Sequence, residues 1–191
     1  MTSKVEEIFQ KSGALLKGHF LLTSGLHSPV YWEKFLVLQY PHYTEQLCRM
    51  IADHFREEKI QVVAGPTTGG IILAFEVARQ LGVRGIFAEE EGTERVFRRG
   101  FKIDSGERVL IVDDILTTGG SIRGVMAAVN KLDGKIIGIG VLVDRSEQKL
   151  DFGVPLFSCH RSATVAYKPE DCPLCAAKIP LVKPGGIQSK K

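Results

Sequence analysis

The chain has 191 residues, 44% of them apolar and 25% charged, and its 25 basic and 22 acidic residues leave a net charge of +3. That size fits one domain whose core forms without a disulfide or a metal, and the apolar content excludes a disordered chain. The balanced charge gives no long-range pull toward nucleic acid, and no apolar run approaches the roughly 18 residues of a membrane span.

In chain order, Val5, Ile8, Phe9, Leu15 and Leu16 recur near helical spacing, with Ser3 as the cap of a first helix. Gly18–Trp32 mixes aromatics with Gly, Ser and Pro and reads as strand, turn, strand. Leu47, Met50, Ile51 and Phe55 give Tyr43–Glu58 the apolar face of a helix. An alternation follows: strand Gln61–Gly65, helix Gly70–Leu81 stopped by Gly82, strand Gly85–Glu89, strand Arg108–Asp114, helix Gly119–Leu132, strand Lys135–Asp144. Short apolar strands alternating with helices predict an α/β fold, a parallel sheet covered on both faces. Glu90–Glu107 is charged and contains glycine, so it is read as a hairpin or mobile loop. The tail after Cys175 is rich in Pro, Gly and Lys, and its last residues are expected to fray.

In open parallel sheets, ligands bind beyond the carboxyl ends of the strands. Those ends carry Gly65–Gly70 (GPTTGG), the charged loop from Glu89, Asp113–Ser121 (DDILTTGGS) and Asp144-Arg145-Ser146. In the third of these, Thr117, Thr118, Gly119, Gly120 and Ser121 lead into a helix. Glycines let backbone amides converge, the hydroxyls add donors, and the helix start adds partial positive charge: a cradle for a phosphate monoester. Asp113 and Asp114 beside it would repel that phosphate unless they meet hydroxyls, a developing cation or a metal. A phosphorylated sugar offers the hydroxyls. GPTTGG lacks the Lys-Ser/Thr of a Walker loop, but Thr68 and Gly69 could hold a pyrophosphate by backbone amides. No GxGxxG follows a strand, so a dinucleotide fold is not supported.

VLIVDDILTTGGS resembles the phosphoribosyl pyrophosphate (PRPP) signature of type I phosphoribosyltransferases. HFLLTSGLHSPVYW (His19–Trp32) resembles the N-terminal hood of the orotate branch of that family. The resemblance runs from about Lys4 to Ser146, and the tail resembles that of a bacterial-type subgroup. It implies one phosphoribosyltransferase domain over 1–191, with a hood of about 1–40 plus the C-terminal tail and a core of about 41–160. It implies transfer of phosphoribose from PRPP to orotate, giving orotidine 5′-phosphate and pyrophosphate in pyrimidine synthesis. Asp113, Asp114, Ile115, Leu116, Thr117, Thr118, Gly119, Gly120 and Ser121 would bind PRPP with Thr68 and Gly69. Thr117, Arg145, Tyr31 and Trp32 would bind orotate. Mg²⁺ would be carried mainly by PRPP rather than by protein ligands. A cytoplasmic homodimer, with no nucleic acid and no membrane as partner, completes what the resemblance and composition suggest.

Three departures stand out. Thr23 and Gly69 replace lysines common in the family, and Glu89–Glu91 are acidic where its mobile loop is often basic. Positive charge for the leaving pyrophosphate must then come from Arg95, Arg98, Arg99 or Lys102. Arg98 and Arg99 are taken as catalytic beside the aspartates. Two other readings stay open, a purine phosphoribosyltransferase and a non-catalytic PRPP-sensing regulator. Cys172 and Cys175 form C-x-x-C with Cys159-His160 upstream, a set that could hold structural zinc, but the adjacent Cys-His pair is geometrically awkward. The cysteines are therefore read as free buried thiols, and His19, His27, His42 and His54 as surface or hood residues.

Overall fold

The computed structural model describes residues 3–22, 24–162 and 165–184. Thr23 and the last residues of the tail lie outside them. Ser3 accepts a hydrogen bond from the Glu6 amide at 3.2 Å and opens α1 (Lys4–Lys11), as its sequence position predicts. Leu15 and Leu16 do not continue that helix. Gly13 takes φ 70°, turns the chain, and starts β1 (Leu15–Leu21). β1 pairs antiparallel with β2 (His27–Trp32) in a sheet of its own. A short helix that periodicity does not announce, α2 (Lys34–Leu38), follows β2, and α3 (Pro41–His54) comes next.

The main sheet takes its strands in the order β5-β4-β3-β6-β7-β8. These are β3 (Val62–Pro66), β4 (Arg84–Glu91), β5 (Glu94–Phe97), β6 (Arg108–Leu116), β7 (Lys135–Asp144) and β8 (Leu156–Arg161). All pairings are parallel except β4 with β5, a hairpin that takes in only the first part of the Glu90–Glu107 segment read as hairpin or mobile loop. β8 carries Ser, Cys, His and Arg on the sheet edge and lacks the apolar run that marks β6 and β7, so it is invisible to patterning.

α4 (Gly69–Leu81) and α5 (Gly120–Asn130) cover opposite faces. On one face Leu47, Ile51, Leu73 and Val77 pack on Val63, Leu110, Val112 and Leu142. On the other, Ile122, Val125 and Val129 pack on Val62, Ile111, Ile139 and Val141. Burial on both faces is why β6 and β7 read as continuous apolar runs. The tail, which includes α6 (Pro173–Ala176), flanks the β1–β2 hairpin on both edges. Val182 exchanges backbone hydrogen bonds with β1 at 2.8 and 2.9 Å, and Tyr167 does the same with His27 at 2.8 Å.

β7 is thinned where α3 crosses it. A Cβ on Gly140 would sit 2.4 Å from Ile51 Cγ2, and one on Gly138 would sit 2.4 Å from Phe55 Cε1. Gly140→Ala is expected to cost about 1–3 kcal/mol by overpacking. A lowered denaturant midpoint at unchanged m checks this.

Candidate functional site

β3, β6 and β7 are parallel, so their carboxyl ends open on one rim. β6 delivers Asp113 and Asp114 there, 7% and 2% exposed. Asp113 Oδ1 accepts the Asp114 amide at 2.8 Å. Asp114 Oδ1 accepts the Ile115 amide at 2.6 Å and Lys34 Nζ at 3.0 Å. Asp114 Oδ2 is also 3.0 Å from Lys34 Nζ, but no donor is aligned with it as a hydrogen bond. Burial pushes both carboxyls up. Asp113 reaches about 7 because the neighbouring Asp114 charge adds to its desolvation, while Lys34 opposes the rise in both.

Lys34 is the residue that sequence reading missed. It follows the hood aromatics directly, with no periodic or motif signal. Only the packing of α2 on α3 and α4 aims it at Asp114. Gly69 is explained by the same carboxylate, since a Cβ there would lie 1.7 Å from Asp114 Oδ2. A lysine at this position would not fit beside Asp114 as it stands.

The turn from β6 into α5 brings the glycines and hydroxyls of the DDILTTGGS segment together. Gly119 takes φ 81° as N-cap of α5, and its missing Cβ leaves room for the Phe152 ring, which would otherwise be 2.9 Å away. The Arg123 amide makes the first intrahelical bond, to the Gly119 carbonyl at 2.9 Å. The amides of the first turn, from Gly120 to Ile122, therefore have no acceptor within the helix, and no side chain caps it. Thr117, Thr118 and Ser121 are exposed around those amides, while Ile115 and Leu116 anchor the strand below. Thr68 is exposed at the start of α4, whose N-terminus also lacks a side-chain cap.

The β4–β5 hairpin leans on α5, and the cleft between them, about 340 Å³, is lined by Arg95, Glu90, Gly120 and Ser121 among others. Arg95 is the hairpin cation brought to the rim. Its side chain is 9% exposed, runs along Gly124, and donates to Thr67 Oγ1 at 3.2 Å while paired with Glu90 at 2.9 Å. Arg98 and Arg99 are not brought in. They stand exposed on the hairpin's outside, paired with Glu91 and Glu89.

Arg145 enters from the end of β7. It lines a cavity of about 210 Å³ with Ser28, Val30, Trp32 and His160. Burial lowers its pKa, opposed by Tyr31, and burial raises that of Tyr31, aided by Glu33. Trp32 packs edge-on against Phe9 at 4.9 Å, and Tyr31 tilts against Phe20 at 5.7 Å. His19 and His27, read as surface or hood residues, lie on the hairpin strands and are buried there, 2% and 5% exposed. One expectation needs correction. Cys175 is an exposed thiol rather than a buried one. Cys159 and His160 sit on β8, where Cys159 contacts the Leu47 carbonyl and His160 contacts Ser3, so neither joins the C-x-x-C.

Residues 37–152 match the family model described as a phosphoribosyl transferase domain. The orotate phosphoribosyltransferase of Pelotomaculum thermopropionicum is 55% identical over 182 residues, 95% of this chain and 96% of that protein. The crystal structure of orotate phosphoribosyltransferase from Aeropyrum pernix superposes with a TM-score of 0.71 at 26% identity, covering 81% of this chain and 92% of that one. An adenine phosphoribosyltransferase from Thermoanaerobacter pseudethanolicus shares the fold alone, with a TM-score of 0.60 at 22% identity over 70% of this chain and 88% of that one.

The acid pair carries a stability signature. In the unfolded chain Asp113 loses its proton near 3.8, whereas in the folded chain it keeps it to about 7. Between those values the native state binds more protons, so stability falls as pH rises through that window and then levels off. Asp113→Asn removes this penalty. Its thermal midpoint is expected to exceed the wild type's at pH 8 by an amount on the order of a few kcal/mol in stability, shrinking toward pH 4. A pH series of unfolding scans on both proteins reads the difference.

Proposed function

This chain belongs to the phosphoribosyl transferase family, among the orotate phosphoribosyltransferases, and on that footing we propose that it transfers phosphoribose from PRPP to N1 of orotate. The C1′–oxygen bond to pyrophosphate breaks, the C1′–N1 bond forms, and orotate N1 gives up its proton. The observation that carries this reading is a buried aspartate pair set directly before an open phosphate cradle. The amides of Gly120 to Ile122 and the hydroxyls of Thr117, Thr118 and Ser121 receive the 5′-phosphate. Asp113 and Asp114 accept the ribose hydroxyls, with Asp114 Oδ2 as an oxygen still wanting a donor. As the leaving bond stretches, the ring carbon gains positive charge, and the same carboxylates stabilise it at low local dielectric.

Thr68 and the start of α4 hold the pyrophosphate, with Arg95 beside them. Arg98 and Arg99 join by movement of the β4–β5 hairpin, in this subunit's site or, in a homodimer, its neighbour's. Their exposed ion pairs are solvent-screened and weakly held, so little opposes that exchange of partners. Arg145 forks onto the orotate carboxylate, and Tyr31, Trp32 and Thr117 bound the base. Mg²⁺ would supply positive charge for the leaving pyrophosphate and would need few protein ligands. Asp113 and Asp114 are the carboxylates within reach, and Lys34 already balances the second. No helix among the described residues is long and apolar enough to cross a membrane. A cytoplasmic setting is part of the same proposal.

Incubation with PRPP, Mg²⁺ and orotate is expected to consume orotate, read as loss of its absorbance, while adenine or hypoxanthine is left unchanged. Turnover of a purine alone would replace this reading with a purine enzyme, and PRPP binding without turnover on any base would point to a regulator. Asp114→Asn is expected to lower kcat about 100- to 1,000-fold. Arg145→Lys is expected to lower kcat/KM for orotate about tenfold to hundredfold, mostly through KM, because a lysine cannot form the bidentate fork.

A further inference from the structure

Away from the catalytic rim, four side chains from three segments meet at one point. His19 comes from β1, His27 from β2, and Cys172 and Cys175 from the turn of α6 in the tail. One ligand-type atom from each lies within 4.8 Å of all the others, and all but Cys175 are buried. We propose that this cluster is a structural zinc site, a Cys₂His₂ centre that ties the C-terminal tail to the hood hairpin.

The distances suit a tetrahedron. His19 Nε2 is 3.5 Å from Cys172 Sγ and 3.7 Å from Cys175 Sγ, and Cys175 Sγ is 3.3 Å from His27 Nδ1. With Zn–S near 2.3 Å and Zn–N near 2.0–2.1 Å, the edges of a tetrahedral site are about 3.3–3.8 Å. The two ring nitrogens are 2.9 Å apart and need only a few tenths of an ångström to open onto an ion. The tautomer is set from outside. His19 Nδ1 lies 2.8 Å from the Ile179 carbonyl, which can only accept, so Nδ1 carries the proton and Nε2 presents its lone pair to the cluster. A backbone carbonyl in that place is the usual outer partner of a metal-bound imidazole. Binding Zn²⁺ releases the two thiol protons, and two thiolates then cancel the ion's charge. The centre that results is neutral, as a mostly buried site requires. With four protein ligands no position is left for water or substrate, which makes the site structural.

The site also answers a stability question posed by the fold. A two-stranded hairpin is marginal alone. Here it stands apart from the main sheet, gripped by tail segments at Tyr167 and Val182. The metal would pin both hairpin strands to the tail at once. β2 runs straight into Glu33 and Lys34, so the pin also steadies the lysine that meets Asp114. The C-x-x-C alone leaves its partners undecided, because the two histidines lie about 150 residues upstream and join only through the packing of tail on hairpin.

The test uses the full chain, without a histidine tag, purified under reducing conditions and equilibrated with Zn²⁺ before desalting. Mass spectrometry for metals is expected to find about one zinc per chain. Titration of the thiols with a mercurial reagent should release that zinc into a chromogenic chelator. Co²⁺ in place of Zn²⁺ should give the intense visible bands of a tetrahedral thiolate site. Cys175→Ser, at the exposed ligand, and His27→Ala should each lose most of the bound metal. Metal removal should lower the thermal midpoint of the wild type but barely move that of Cys175→Ser. Metal-free protein after Zn²⁺ loading, or unchanged metal content in Cys175→Ser, overturns the proposal. So does a weakly coloured octahedral Co²⁺ spectrum, or a Cys172–Cys175 disulfide in place of the ion. Since these readouts need neither PRPP nor orotate, their failure is distinct from failure of the catalytic reading.

Discussion

The contact between Lys34 and Asp114 holds the site together. A carboxylate that is 2% exposed beside a second one at 7% is an expensive arrangement, and its cost appears as raised pKa values in both. Lys34 offsets part of that cost from the hood side, while the Asp114 and Ile115 amides offset part from the strand. The neighbouring pieces adjust to this carboxylate. Gly69 has no room for a side chain because Asp114 occupies the space, and α2, seated by buried Val37 and Leu38, brings Lys34 to the same carboxylate. Stability is given up here to keep two adjoining carboxyls buried on the rim.

The acidic run Glu89–Glu91 looked out of place in a loop expected to handle a polyanion. In the folded hairpin each glutamate has an arginine: Glu89 with Arg99, Glu90 with Arg95 and Glu91 with Arg98. The hairpin is thus nearly self-neutral at rest. Arg95 differs from its neighbours because it is shielded along Gly124 and bonded to Thr67, so its charge reaches Asp113. The other two are held at the solvent face by pairs of the kind that water and salt weaken. Resting cancellation and a weak hold are what a segment needs if its cations are to be redeployed onto a ligand.

The hood and tail form a second unit of logic. The hairpin sheet is small, and its two histidines meet the tail cysteines in one cluster. It also brings Val30 and Trp32 to the cavity of Arg145. One two-stranded element thus contributes both to the tail cluster and to the lining of the Arg145 cavity.

Much of this was legible in the chain alone. β3, β6 and β7 are apolar runs, α4 ends at a glycine with φ 70°, and the DDILTTGGS segment carries acids, hydroxyls and glycines in order, so local chemistry placed the rim, the glycine-led turn into α5 and the paired aspartates. Three features were decided only in three dimensions. β8 is an edge strand whose partner, not its own pattern, makes it a strand. Lys34 is one unremarkable cation until α2 folds it onto Asp114. His19 and His27 have no spacing that marks them, and they meet Cys172 and Cys175 because the tail returns along the hairpin after about 150 residues. Periodicity and motifs report interactions between near neighbours in sequence, whereas contacts between distant segments depend on how the whole chain packs.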